Sequence, residues 1–212
     1  IARWNLARLA ETLLPLMADG DDEAAVQQAV AQVTEVIDAF PALYRAALLQ
    51  GQRAKLGLQR GGDDAADESL AADWLALLHA HGVDFTLSWR RLADAAAGDE
   101  APLRALFAAD AKAPDDWLAR WRARCAAEDD HADAAAAGAR RAARMRAVNP
   151  LVIPRNLRVE EALAAASAGD LAPFERLLAA LRRPFDDLPG HAAYAEPAPA
   201  QAMASYQTFC GT

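Results

Sequence analysis

The residues from Met145 to Leu163 read M-R-A-V-N-P-L-V-I-P-R-N-L-R-V-E-E-A-L, and they interrupt a chain that is otherwise rich in alanine and helix-forming residues. Pro150 and Pro154 each lack a backbone N–H, and each disfavours the helical conformation of the residue that precedes it. We therefore expect an extended or irregular segment from Asn149 to Asn156, which we call the strap.

The strap is basic and is flanked by helix-forming sequence. We expect one helix to end near Val148 and the next to begin near Val159. Two of the chain's three asparagines, Asn149 and Asn156, lie in the strap, and no acidic residue occurs between residues 139 and 159. The arginines of this stretch are Arg140, Arg141, Arg144, Arg146, Arg155 and Arg158. The pattern indicates an ordered basic connector and assigns it no function.

Bulk composition excludes several classes of protein. A chain of 212 residues fits one large domain or two small ones. Its net charge of −8 disfavours non-specific nucleic-acid binding, and no apolar run reaches the roughly 18 residues of a membrane span. Two cysteines make no disulfide framework, which is typical of a cytoplasmic protein. Arginine outnumbers lysine twenty to two, which we interpret as compositional drift.

Apolar residues recur at intervals of three and four along most of the chain, which predicts amphipathic helices and an all-α fold. We expect a helical region over residues 1–185 and an irregular, proline-rich tail over residues 186–212. Pro41 is expected to kink or restart the second helix. The predicted helices lie around residues 4–16, 26–37, 43–58, 70–78, 87–97, 102–109, 115–125, 133–148, 159–168 and 171–181.

Two local patterns add detail to these helices. Thr86 is a suitable N-cap for the helix over residues 87–97. Trp117, Trp121 and Cys125 are spaced at i, i+4 and i+8. One face of a helix with two tryptophans and a cysteine is typical of a protein core, so we expect this stripe to be buried.

Four acids and His131 lie between Glu128 and Asp133, shortly after Cys125. A zinc site needs several soft ligands at defined spacing, and one cysteine with one histidine does not supply them. We expect a solvated acidic linker whose carboxylates serve the N-terminus of the next helix. No Ser-His-Asp or Cys-His set is recognisable, so the residues alone predict neither a metal site nor an active site.

Four segments, in order, resemble the selenoprotein O family. They are W-N-L-A-R-L-A-E-T-L-L-P-L (residues 4–16), N-P-L-V-I-P-R-N-L-R-V-E-E-A-L (149–163), A-G-D-L-A-P-F-E-R-L-L-A-A-L-R-R-P-F (168–185) and Y-Q-T-F-C-G-T (206–212). The last is similar to the cysteine-bearing C-termini of bacterial members. Residues 20–139 match the family only weakly.

The resemblance implies a protein-kinase-like fold that transfers AMP from ATP to hydroxyl side chains of protein substrates, with Mg or Mn as the metal. It implies that this chain is the helical C-terminal part of the C-lobe plus a C-terminal extension. In the family, the phosphate-binding loop, the lysine–glutamate pair, the catalytic aspartate and the metal ligands lie upstream of the W-N-L segment. We therefore expect no catalytic residue, bound ATP or metal in this chain, and a missing N-terminal catalytic half as its partner.

The strap admits two interpretations. Arg155 and Asn156 cap neighbouring helix ends, with the asparagine side chains satisfying backbone groups that the prolines leave unpaired. Alternatively, Asn149, Arg155 and Asn156 face the missing half or a nucleotide phosphate. Trp4 and Asn5 lie where the catalytic segment would join, so inter-lobe packing is the expected role of both.

Cys210 aligns with the position that some family members fill with selenocysteine. The residues alone indicate an accessible thiol on an alanine- and proline-rich tail. The resemblance adds a reversible disulfide that couples the tail to activity. Its partner would lie upstream of Ile1 rather than at Cys125, because a buried helical cysteine rarely offers the geometry of a bridge.

Two functions from different classes remain open at this point. The chain is either the C-terminal portion of a protein adenylyltransferase, inactive alone, or a helical protein-interaction module without catalysis. In the first case the helix of Trp4, Leu6, Leu9 and Leu13 packs partly on the missing half, and the chain alone exposes an apolar patch.

Overall fold

A computed structural model of the chain describes residues 1–20, 22–129, 133–199 and 201–202. Every regular element within these residues is helical, which confirms the all-α class. No helix among them is both long and apolar enough to cross a lipid bilayer. The helices are α1 (Ala2–Met17), α2 (Glu23–Leu56), α3 (Asp64–Ala80), α4 (Phe85–Ala96), α5 (Ala101–Ala105), α6 (Asp115–Ala126), α7 (Ala134–Val148), α8 (Asn156–Ser167), α9 (Ala172–Leu181) and α10 (Ala192–Ala195).

The chain divides into two compact units, which we call the N-terminal unit (residues 1–51) and the C-terminal unit (from residue 52 onward). The N-terminal unit consists of α1 and most of α2. Asp22 accepts hydrogen bonds from the Ala24 and Ala25 amides and so caps the start of α2. The helix continues through Pro41, so a restart at that proline is wrong, and the alternative expectation of a kink stays a prediction.

Four tryptophans form the centre of the core of the C-terminal unit. Trp117 and Trp121 are both buried on α6, which confirms the predicted stripe. The Trp117 Nε1 donates to the carbonyl of Leu70 at 2.9 Å, and the Trp121 Nε1 donates to that of Leu56 at 3.0 Å. These bonds satisfy the indole N–H groups and fix α6 against α3 and against the end of α2.

Asp67 of α3 is a buried carboxylate that joins three helices. Its oxygens accept from the Nε of Arg53 on α2 at 2.6 Å and from the Nε of Arg124 on α6 at 2.7 Å. Burial would raise the pKa of Asp67, but the hydrogen bonds from Arg124 and Arg53 outweigh it, and the pKa lies below its ordinary value. The carboxylate is therefore ionised, and it pairs with two guanidinium groups at once, each of which has a second acidic partner, Asp64 for Arg53 and Glu128 for Arg124.

Asp84, not Thr86, caps α4, so that prediction is wrong. Its carboxylate accepts from the Leu87 amide at 2.8 Å. Asp133 caps α7 in the same way through the Ala136 amide at 2.9 Å, as the acidic linker predicts. In both cases the side-chain oxygen satisfies an amide of the first turn that has no partner within the helix.

Gly138 of α7 lies against the backbone of α4. A Cβ at this position would stand 2.4 Å from the carbonyl oxygen of Ala96, a backbone atom that cannot move without shifting α4. Gly51 of α2, by contrast, has nothing within 4 Å of its ideal Cβ position. A side chain at Gly138 would therefore clash with α4, whereas a side chain at Gly51 would meet no other atom.

We predict that Gly138→Ala lowers the free energy of unfolding by about 1–3 kcal/mol, because the overpacking exceeds the gain in helix propensity. Gly51→Ala, the matched control, should raise it by up to about 1 kcal/mol, since only the propensity changes. Urea denaturation followed by circular dichroism measures both. Equal stabilisation by the two substitutions would contradict the close approach of α7 to α4.

Candidate functional site

The strap is irregular over residues 149–155, and α7 ends at Val148, as predicted. The next helix begins at Asn156 rather than near Val159, so that boundary is wrong by three residues. The reason is that Pro154 restricts only the residue before it. Arg155 is then free to act as the N-cap, and its carbonyl accepts the first helical hydrogen bond from the Val159 amide at 3.0 Å.

The middle of the strap is buried against the last helices of the chain. The amides of Leu151 and Val152 both donate to the carbonyl of Pro184, at 2.7 and 3.0 Å. Their side chains pack with Ala180 and Ala195 in a small second core. The tail from residue 186 onward, expected to be irregular, contains the short helix α10, and Ala195 of this helix contributes to the second core.

Asn149 is fully buried and clamps the strap to the end of α2. Its Nδ2 donates to the carbonyl of Lys55 at 3.1 Å, and its Oδ1 accepts from the Lys55 Nζ at 3.1 Å. Burial lowers the pKa of Lys55. The buried Arg90 of α4 adds bonds from its Nη1 to the carbonyls of Arg146 and Asn149, at 3.0 and 3.1 Å. Arg90 thus satisfies the carbonyl of Arg146, which lies in the last turn of α7 and has no helical partner, and the carbonyl of Asn149 just after it.

Arg155 forms a two-pronged ion pair with Asp84. Its Nη1 and Nη2 donate to the two carboxylate oxygens at 2.8 and 3.0 Å, and Nη2 also donates to the carbonyl of Ala195 at 2.8 Å. Burial would raise the pKa of Asp84, but the bonds from Arg155 and from the Leu87 amide outweigh it and hold this pKa below its ordinary value. One guanidinium thus ties together the start of α4, the strap and α10.

Most of the arginines of this region are paired with acids. Arg140 and Arg144 form no ion pair with any residue that the structure describes. The ion pairs of the region are Arg141–Glu128, Arg141–Asp129, Arg146–Asp94, Arg155–Asp84 and Arg158–Glu161. To bind a phosphate, Arg155 would first have to leave its carboxylate. The contacts therefore favour the packing interpretation of Asn149 and Arg155, and the nucleotide-facing role stays a prediction.

The other candidate residues lie on surfaces. Asn156 is exposed at the start of α8, and its side chain makes no hydrogen bond to a described residue. Trp4 and Asn5 are exposed on α1 of the N-terminal unit, with the Arg8 guanidinium 5.7 Å from the Trp4 ring. Their expected interface role stays a prediction. Cys210 lies outside the described residues, so its predicted redox role is likewise untested.

The acidic group after Cys125 is partly structural rather than solvated. Glu128 accepts from the amides of Gln59 and Arg60 at 2.9 and 3.1 Å, and it pairs with Arg124 at 2.9 Å. The expectation that all these acids serve the next helix is therefore wrong for Glu128, which supports the turn after α2. Within the described ranges, no three His, Cys, Asp or Glu side chains come close enough to hold a metal ion.

The contacts of Asp67, Asp84, Arg90 and Arg141 were not predicted. Each is polar and would be assigned to the surface from sequence alone. Only Asp84 has a usable local signal, since it precedes an apolar helical run as an N-cap does.

Comparison with known proteins identifies the class to which this fold belongs. The family model described as "Protein adenylyltransferase SelO" matches residues 1–182. This chain therefore belongs to the SelO family.

Several curated relatives carry the name protein nucleotidyltransferase YdiU. The relative from Chromobacterium violaceum is 50% identical over 214 residues, which cover 100% of this chain and 42% of the relative. One from Cereibacter sphaeroides is 48% identical, and one from a Mycobacterium species is 47% identical; each match covers 100% of this chain and 40% of the relative. The chain thus spans about two fifths of the length of these relatives.

We predict that Arg155→Lys lowers the free energy of unfolding by about 1–3 kcal/mol, because one ammonium cannot reproduce the fork that binds both Asp84 oxygens and a carbonyl. The matched control is Arg120→Lys, since Arg120 pairs with Asp73 on the surface at 2.8 Å and should contribute less than about 1 kcal/mol. Urea denaturation at neutral pH measures both. Similar losses in the two variants would contradict the structural role of Arg155.

The Asp84 pairing also predicts a pH dependence. Because the folded-state pKa is lowered, its contribution is present above the unfolded pKa and is lost as pH falls through the folded value. We therefore expect the stability difference between the native chain and Asp84→Asn to be largest near pH 7 and to shrink below about pH 4. Urea denaturation across this pH range gives the result. A difference that does not change with pH would show that Asp84 contributes only as a cap.

Cys125 provides a prediction about reactivity. Its side chain is buried in the core, and this burial raises the pKa of the thiol to about 12. We expect iodoacetamide to alkylate Cys125 at pH 8 at least roughly 100-fold more slowly in the folded chain than in urea, because both access and thiolate fraction are reduced. Peptide mass spectrometry resolves Cys125 from Cys210. Labelling of Cys125 at its unfolded rate would contradict this burial.

Proposed function

We propose that this chain is the C-terminal part of a SelO-type protein adenylyltransferase, which transfers AMP from ATP to the hydroxyl groups of serine, threonine or tyrosine in other proteins. The observation that carries the proposal is the family match over residues 1–182, supported by 47–50% identity along the whole chain to nucleotidyltransferases more than twice as long. Its helices would then be the C-terminal part of a kinase-like C-lobe and its extension.

The part of the chain that the structure describes offers no recognisable Mg-ATP or Mn-ATP site, which supports placing that site elsewhere in the enzyme. The described ranges bring no set of metal ligands together, and Arg155 is already bonded to Asp84 and to a carbonyl. We therefore assign no catalytic step to this chain. Its role in the enzyme would be architectural, with the strap joining α2, α4 and α7 to the last helices.

A non-catalytic interaction module is the second candidate. The observation that favours it is the exposure of apolar side chains along α1, which has no buried residue. Such a surface would suit another protein as well as a missing domain of the same chain. The two candidates differ in whether the full-length gene product transfers AMP.

We predict that the full-length gene product, with ATP and Mg or Mn, attaches AMP to hydroxyl side chains of proteins, whereas the 212-residue chain does not. Mass spectrometry of the reaction products detects the modified residues. Calorimetric titration of Mg-ATP into the 212-residue chain should show no micromolar binding. One-to-one binding at micromolar affinity would place the nucleotide site in this chain, and a full-length product without AMP transfer would favour the interaction module.

A further inference from the structure

The N-terminal unit contains an apolar groove between α1 and α2. The groove has a volume of about 410 Å³, and Gln32 is the polar residue of its lining. The residues that matter most are Leu6, Leu9 and Leu13 on α1 and Val33, Val36 and Phe40 on α2. On each helix these positions are three or four apart, so two parallel apolar ridges border one furrow.

Few side chains of the unit are fully buried, although Leu6, Val33 and Phe40 in the groove are half-buried. Among the residues described in it, only Ala29 and Leu49 are buried. Eleven of the eighteen large apolar side chains exposed in the described chain belong to residues 1–51. Helices in proteins are stabilised mainly by packing of an apolar face, and two helices that leave theirs open gain little from each other. This surface therefore needs a covering element.

No charged residue that the structure describes lines the groove. The groove therefore offers apolar surface, without a charged group in its lining to attract an acidic or basic peptide. An amphipathic helix that places leucine-like side chains at i, i+3, i+4 and i+7 between the two ridges has the matching shape.

The lengths of the relatives point to the rest of the full-length protein as the source of that helix. They match this chain over 100% of its length, yet the match covers only 40–42% of their own. The remainder is on the same polypeptide as the groove, and tethering gives it a local concentration that a free partner cannot reach. A second copy of the chain lacks this advantage.

We propose that the α1–α2 groove binds an amphipathic helix from the part of the full-length protein that lies outside these 212 residues. This inference rests on the proposed function, because it requires the chain to be part of a longer enzyme. The groove is then the surface through which residues 1–51 pack against the rest of the full-length protein.

Hydrogen exchange tests the proposal on the full-length protein and on the 212-residue chain. Peptides covering α1 and residues 30–43 of α2 should exchange at least roughly 100-fold more slowly in the full-length protein, because the docked helix protects them. Equal exchange in the two proteins would overturn the proposal. Protection that appears in the 212-residue chain only on raising its concentration, together with a doubled mass, would instead assign the groove to a second copy.

Substitutions supply a matched control. Leu9 on α1 and Leu163 on α8 are similarly exposed in this chain, at 55% and 49%. In the full-length protein, Leu9→Ser should accelerate exchange of the α1 peptides by roughly 10-fold or more, whereas Leu163→Ser should leave them unchanged. Should Leu9→Ser prevent folding of the full-length protein but not of the 212-residue chain, Leu9→Ala gives the same comparison with a smaller truncation. Identical effects of the two leucine substitutions would overturn the proposal.

AMP transfer by the same full-length protein separates this inference from the proposed function. Protection of α1 without AMP transfer would leave the groove occupied as proposed and refute the enzyme assignment. AMP transfer without protection of α1 would leave the enzyme assignment intact and refute the helix in the groove.

Discussion

The buried carboxylate of Asp67 is the point through which α2, α3 and α6 are held together. It is 1% exposed, and it accepts hydrogen bonds from both Arg53 and Arg124. Moving an ion out of water costs several kcal/mol. The buried carboxylate is stable because two guanidinium groups donate hydrogen bonds to it and pair with its charge. Arg124 extends the network to the carbonyl of Arg60 at 2.8 Å and to Glu128, so the turn after α2 depends on the same centre.

The arginine content of the chain has a structural explanation in these contacts. Arg124, Arg141 and Arg155 each bind a carboxylate and a backbone carbonyl at the same time. A guanidinium can do this because its five donors point outward in a fixed plane, whereas an ammonium is a single point of charge. The interpretation of the overall arginine bias as compositional drift stays a prediction, but these three residues make contacts that a lysine could not reproduce. They join segments that lie far apart in the sequence.

The parts of the fold that could be predicted are those with a local physical cause. Apolar spacing predicts most of the helices, two prolines predict the irregular strap, and the tryptophan stripe of α6 predicts its buried face. The contacts of the strap could not be predicted, because Asn149 meets Lys55 across 94 positions and Arg155 meets Asp84 across 71. Polar residues look solvated in a sequence, and only the tertiary packing shows that these are enclosed and paired. The groove of the N-terminal unit could not be predicted as a groove either, since its two ridges come from separate helices.

Four of the five tryptophans lie together in the core of the C-terminal unit, and the fifth, Trp4, lies in the N-terminal unit. This distribution affects the fluorescence and circular dichroism of the chain. Trp74 and Trp117 have ring centroids 4.4 Å apart, and Trp117 stacks on Trp121 at 6.0 Å. Indoles at these separations share excitation, so their ultraviolet circular dichroism and emission belong to the cluster as a whole. Trp4 is 65% exposed on α1 and lies in the other unit. We therefore expect Trp4 to emit at longer wavelength than the buried cluster, so that the fluorescence of the chain has two components, one from each unit.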